Sequence, residues 1–399
     1  MSKENDKKEI SFSPGAAAFA RFRKDYMALI GSAGIFLIFM SAVIAPIIAN
    51  GRPFVFFSKL SGLSFPFLRY IFAPDSSEAV VEKIFNFLLI FLPLSIIIFL
   101  VSAGWKRKKL FVSIASGTAL FLLIPFFTTS HILEKTDWLK AASEFSQGEF
   151  AFFAPVPYGP FSTTGSPYEK PSRKHVMGTD HIGRDVLSRM LYGARVSLAV
   201  GFLATGLSLV IGISVGLFAG YCGGKTDMLI MRIIEIIICF PTFLLLLILM
   251  AVMMDRKYDQ SILIVIAILG LTGWTGLARL VRGETLKQRT FPYILSCEAL
   301  GLPVWRIMFF HIFPNISGPV LVSFTFAVAE FILAESGLSF LGFGVQAPTA
   351  SWGELLRQAF AEPFLYWHLT LWPGLALFIT VCSFNFAGEG LRKVFDPKE

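Results

Sequence analysis

The chain has 399 residues, 55% of them hydrophobic and 43 of them Phe, with a net charge of +8. A mean hydropathy of +0.67 is too high for a soluble domain that must keep a wettable surface, so the composition is that of an integral membrane protein. The basic excess then reads as topology and lipid contact, with no nucleic acid among the partners.

A helix needs roughly 20 apolar residues to cross a hydrocarbon core of about 30 Å. The sequence offers about eight such runs, at 26–49, 84–104, 110–127, 198–220, 233–254, 262–281, 317–334 and 369–387. Residues 1–25 form a charged segment, and the run after them has no small-residue cleavage site, so it reads as a retained anchor. Residues 26–127 hold the first span and a further hairpin, whose turn "WKRKKL" places Lys106, Arg107, Lys108 and Lys109 between two apolar runs. Lys and Arg are roughly twofold denser on the side of that turn than on the other, which puts both termini in the cytoplasm.

Residues 128–196 are the longest stretch without a span and lie outside the cell in this topology. Within them "ILEKTDWLKAASEF" has the composition of a short amphipathic helix, and "APVPYGPFSTTGSPYEKPSRK" is Pro- and Gly-rich loop. The tract "HVMGTDHIGRD" gathers His175, Asp180, His181 and Asp185 without metalloprotease spacing, and such residues serve turns and helix caps. The four cysteines show no ligand or disulfide spacing, so neither a metal nor a cofactor is expected.

Residues 197–390 form the remaining membrane core. Gly212, Gly216 and Gly220 recur on one helical face, where small residues let a second helix approach closely. "GYCGGKTD" resembles a phosphate loop only superficially: it is one residue short of the Walker spacing and no strand precedes it, so it reads as a short turn. Between 282 and 316 the chain carries Arg282, Glu284, Lys287, Arg289, Glu298 and Arg306, each costly at the bilayer centre, and must emerge into the cytoplasm. There "RGETLKQR" and "VWRIMFFHI" have helical composition, and "FPYILSCEALGLP" between them is punctuated by Pro292, Gly301 and Pro303. Tyr293, Ile294, Ala299 and Leu300 need apolar cover, which another protein would supply. Further on, Glu330 and Glu335 are carboxylates in or at a span, where charge is expensive. Either one lines a substrate path and meets an amine, or both sit at the helix end in contact with water or a partner. "LGFGVQAPTASWG" reads as a compact outside loop, and 391–399 as a cytoplasmic tail.

"EALG", then Ile307 and "HIFPN", resembles the cytoplasmic loop signature of the integral subunits of bacterial ATP-binding-cassette importers. "GTDHIGRDVLSRMLYGARVSL", "GGKTDMLIMRIIE", "ESGLSFLGFGVQAPTASWGELL" and "GEGLRKVFDPKE" are similar to the C-type permease subunit of dipeptide and oligopeptide importers, in the branch that includes importers of the peptide antibiotic microcin C. The likeness spans residues 150–399. It implies an all-α type I importer permease core in the bacterial inner membrane, to which the hairpin near 84–127 is an addition. It further implies a second, B-type permease subunit, two cytoplasmic ATPases that carry all the catalysis, and an extracytoplasmic solute-binding protein. The cargo it implies is peptide, with nickel chelates or oligosaccharides as the alternative. Residue by residue, it makes Ser296, Cys297, Ala299, Leu300, Gly301 and Ile307 the ATPase-coupling loop, with His311, Pro314 and Asn315 re-entering the membrane. The family's Glu-Ala-Ala is replaced by Leu295, Ser296 and Cys297, so Glu298 does not inherit the family glutamate's role. A secondary transporter would need an ion relay and a membrane enzyme a catalytic cluster, and neither is visible.

Overall fold

The computed structural model describes residues 21–58, 62–74, 79–103, 108–128, 138–143, 150–255 and 262–395. The centre of the "WKRKKL" turn and most of the segment 128–149 lie outside these. Among the described residues six helices are long and apolar enough to cross a membrane, or seven if one bent pair counts as a span.

Helix α1 (Tyr26–Ile48) is followed by strands β1 (Val55–Ser58) and β2 (Gly62–Ser64) and helix α2 (Pro66–Phe72). Next come α3 (Ala79–Ala103) and α4 (Lys108–Thr128), which pack on each other as the additional hairpin. A six-residue helix α5 (Trp138–Ser143) and strand β3 (Phe150–Phe152) complete the first part. The three strands form a small antiparallel sheet in the order β2-β1-β3, with Phe57 opposite both Leu63 and Phe150. The sequence reading contains no strands; their Phe-rich runs are too short to show a period and merge with the neighbouring apolar segments.

The core is built on α6 (Val186–Cys222). At 37 residues it is about 55 Å long and overshoots a bilayer's hydrocarbon, so its ends stand in the interfaces. It packs against α1, α9 (Ile262–Thr272), α10 (Trp274–Arg289) and α13 (Phe313–Phe340). The closest partner is α10, along the glycine stripe. A Cβ at Gly212 would lie 3.0 Å from the Leu277 side chain, one at Gly216 2.6 Å from the Ala278 carbonyl oxygen, and one at Gly220 2.7 Å from Thr285. Helix α15 (Trp367–Phe395) closes the bundle against α1 and α13.

Two differences from the sequence reading concern the path of the chain. The run 233–254 is not one straight span. It divides into α7 (Gly224–Ile238) and α8 (Thr242–Asp255), bent by 78°. Pro241 has no N–H to donate and disfavours helical backbone at Phe240, so the helix must stop there, whereas hydropathy averaging is blind to a single proline. Second, bare composition marks 291–303 only by its punctuation and the resemblance makes it a coupling element; it folds as a helix, α11 (Pro292–Ala299), that ends before Gly301.

Arg195 ties the additional hairpin to the core. Pro46 inside α1 leaves the Ala42 carbonyl without its helical donor. Buried Arg195 replaces it, donating from Nε at 2.7 Å, and its Nη1 donates to Asn86 of α3 at 2.9 Å. Tyr70 of α2 adds a second tie, its hydroxyl lying 3.0 Å from Glu82 of α3 and 3.3 Å from the Tyr192 hydroxyl of α6.

At one end of α6 the loop 155–185 is fixed by buried charge. Asp185 is the N-cap of α6, accepting from the Ser188 N–H at 2.8 Å and from His175 at 2.9 Å. Burial nonetheless raises the Asp185 carboxyl above its usual range, against the pull of those two donors. Arg184 pairs with Asp180 at 2.6 Å, and fully buried Arg189 pairs with Glu354 of α14 (Trp352–Gln358) at 2.6 Å. These residues serve turns, caps and ion pairs, and no three metal-capable side chains group together among the described residues.

Candidate functional site

The opposite end of α6 carries the loop between α10 and α13. Helix α11 starts with Pro292 in its first turn, where a missing N–H is harmless. It ends at Gly301, whose φ of +70° is the left-handed conformation that favours glycine. The Gly301 N–H donates to the Glu298 carbonyl at 2.9 Å and the Leu302 N–H to the Cys297 carbonyl at 3.1 Å. This is the paired-bond helix stop that glycine permits, and it fixes the direction in which the chain leaves α11.

The loop is amphipathic across its thickness. Ile294, Cys297, Ile307, Met308 and Ile312 are buried against Leu217 and Tyr221 of α6, Val281 of α10 and Ile316 of α13. Ile294 therefore needs no outside cover, contrary to the sequence reading, because α6 and α10 extend far enough to supply it. The other side is bare: Leu300 is 79% exposed, Phe310 64%, Trp305 57% and Leu295 53%, with Ser296 and Ala299 exposed among them. Apolar side chains concentrated on a polar-flanked protrusion mark a contact surface.

After Pro303 the chain passes through a short turn, α12 (Val304–Arg306), and a π-helical turn at Ile307–Ile312 before α13. The wider turn lets the Phe313 N–H reach Met308 just before Pro314, which has no N–H. His311 Nδ1 lies 3.2 Å from the Arg306 carbonyl, and Asn315 donates to the His311 carbonyl at 2.6 Å and to the Tyr293 hydroxyl at 3.3 Å. Asn315 thus ties the start of α13 to α11. Burial pushes the Tyr293 phenol above its ordinary value, and the Asn315 amide partly offsets this.

Two contacts were not legible in the sequence. The Tyr221 hydroxyl donates to Glu298 at 2.8 Å, joining the end of α6 to α11. Arg282 of α10 donates to Asp227 of α7 with two nitrogens, the Nη2 bond measuring 2.6 Å.

The two acidic candidates part company. Glu335 is fully buried, accepting from Ser339 at 2.7 Å and from Ser197 and Ser336 at 3.3 Å. Its carboxylate is satisfied by hydroxyls inside the bundle and lines no open surface. Glu330 is exposed. On its helical face, two turns on, a Cβ at Gly337 would come within 3.2 Å of Phe243 in α8. Glu330 therefore stands on the side of α13 that looks toward the broken helix pair.

The loop thus combines a rigid glycine stop with an exposed apolar side, on a chain with six or seven helices able to cross a membrane among its described residues. The family described as binding-protein-dependent transport system inner membrane component matches residues 212–399. The dipeptide transport system permease protein DppC of Bacillus subtilis is 40% identical over 229 residues, 57% of this chain and 70% of that protein. The glutathione transport system permease protein GsiD of Pectobacterium atrosepticum is 38% identical over 230 residues, 58% of this chain and 75% of that one. The oligopeptide transport system permease protein OppC of Haemophilus influenzae is 41% identical over 225 residues, 56% and 71% respectively. The chain belongs to this family of inner-membrane transport components, and as a permease subunit it is a non-catalytic part of its transporter.

Proposed function

We propose that the chain forms, with a second permease subunit, the membrane path of an importer of short peptides, driven by separate cytoplasmic ATPases and supplied by an extracytoplasmic solute-binding protein. The substrate class is supported by the names of the relatives, which specify dipeptide, glutathione and oligopeptide transport in turn. The ATPase seat is the bare side of the loop, from Leu295 to Phe310, and the observation that carries it is the exposed Leu300 beside the rigid Gly301 stop. In this reading both termini are cytoplasmic and the loop 155–185 is outside. Glu330, the exposed acid on a spanning helix, is the candidate for contact with a peptide's amine.

The experiment is uptake in a strain lacking the chain, complemented with wild type or Gly301→Arg. Deletion is expected to abolish uptake of labelled tripeptide while free amino-acid uptake persists. Gly301→Arg is expected to remain in the membrane and lose at least about tenfold of uptake, because the new side chain projects from the seat and disfavours the required backbone. A Cβ at Gly301 meets nothing within 4 Å in the chain itself, so the damage falls on the partner contact and the turn. Nickel uptake lost with peptide uptake intact would refute the substrate class; normal uptake by Gly301→Arg at equal abundance would refute the seat.

A further inference from the structure

We infer that α7 is a hinged lever and that the Asp227–Arg282 pair is the positioning contact through which the coupling loop moves it. The inference rests on the reading of that loop as the ATPase seat.

Helix α7 lies between two breaks. Gly223 before it and Gly224 at its first position have φ of +63° and +55°, and after it the chain bends by 78° into α8. Of its fifteen residues only Ile234 is buried, while Met228, Leu229, Ile233 and Ile236 are all exposed. Apolar packing within the chain therefore does little to fix its angle. A polar contact does: Arg282 presents two guanidinium nitrogens to the two oxygens of Asp227. Such a fork-to-fork pair sets direction as well as distance.

The other end of that contact leads to the seat. Arg282 lies on α10, which passes through Thr290 and Phe291 into α11. At the same corner Tyr221, two residues before the glycine hinge, donates to Glu298 of α11, and the Arg289 guanidinium sits 5.7 Å from the Tyr221 ring centre. A displacement of α11 thus reaches the corner by two routes. The Tyr221 route ends on α6, on the fixed side of the hinge; the Arg282 route ends on α7, on the mobile side. Only three residues separate α7 from α8, and α8 carries Phe243 against Gly337 of α13, so turning α7 displaces the start of α8 on the face of α13 that also holds Glu330.

Hydrogen-exchange mass spectrometry on the purified transporter, assembled with its partner subunits, tests this without nucleotide and with ATP plus vanadate. In wild type, amides of 226–238 are expected to change exchange rate by at least about threefold between the states, in step with those of 292–299. Arg282→Ala and Asp227→Ala are expected to keep the response at 292–299 and lose it at 226–238. The exchanged pair Asp227→Arg with Arg282→Asp is expected to restore it. A response at 226–238 that survives in the single variants, or is absent in wild type while 292–299 respond, would overturn the lever. If the single variants do not assemble, the exchanged pair decides: assembly without restoration also overturns it. A wild-type loop 292–299 insensitive to nucleotide would instead refute the ATPase-seat reading itself, and the lever with it.

Discussion

The two ends of α6 are finished in opposite ways. At the end that carries residues 155–185, Asp180, Arg184, Arg189 and Glu354 are buried and paired within the chain. At the end that carries α11, Leu300, Trp305 and Phe310 are exposed, and the neighbouring α7 hangs between a glycine pair and a proline break. The first end is held together by charge pairs inside the chain, with Phe360 and Phe364 exposed just beyond α14. The second is an anchored platform whose outer face is apolar and exposed.

The largest effect should come from breaking the finished end. Arg189→Ala leaves Glu354 buried without its cation, and a broken buried pair typically costs about 3–5 kcal/mol. Thermal unfolding of the detergent-solubilised protein should show a markedly lower midpoint; an unchanged midpoint would mean that this end is hydrated and not closed.

The packing of α6 on α10 is the next test. At Gly216 a Cβ would meet the Ala278 carbonyl at 2.6 Å, whereas at Gly206 it would meet nothing within 4 Å. Gly216→Ala should destabilise by about 1–3 kcal/mol through forced separation of the helices. Gly206→Ala, read in the same unfolding assay, should be neutral or slightly stabilising.

At the platform, Gly301→Ala should cost only about 1 kcal/mol, from the left-handed backbone alone, and Gly301→Asn less, since Asn tolerates that conformation. Equal losses for Ala and Asn would show that backbone conformation is not what selects glycine there.

The smallest effect concerns the ends of α1 and α15, where Lys393 donates to Asp25 at 2.8 Å. That bond, ahead of the Ala28 and Met27 N–H groups, holds the Asp25 carboxyl below its ordinary value. A lowered carboxyl pKa contributes stability above the unfolded-state value of about 3.9 that is lost as pH falls through the folded value. Asp25→Asn keeps an N-cap acceptor and removes the charge. It should cost under about 1 kcal/mol at pH 7, as partly exposed pairs do, and nothing once the pH is below both values.

The sequence was most informative where a single residue type dictates local geometry. The glycine stripe of α6 was readable from its spacing, Gly301 from its residue type at a break in helical composition, and the turn and cap chemistry of the tract holding Asp180 and Asp185 from its residue types. It was least informative where the constraint is distant or brief. Tyr221 meets Glu298 across 77 positions and Asp227 meets Arg282 across 55, and no local pattern announces such pairs. Nor did it separate the two acids: Glu330 and Glu335 are five residues apart, which turns them to different faces of one helix, and only the packing tells which face is closed. The bend at Pro241 was hidden because an apolar average outvotes one residue.

The claim that the bare side of the loop receives an ATPase can be tested most directly by placing a photo-cross-linking amino acid at Leu300, the most exposed apolar residue of α11's end, and irradiating intact cells. The account predicts one dominant adduct, with a cytoplasmic ATPase subunit, that is lost in Gly301→Arg. Adducts confined to lipid or to an extracytoplasmic protein would contradict it.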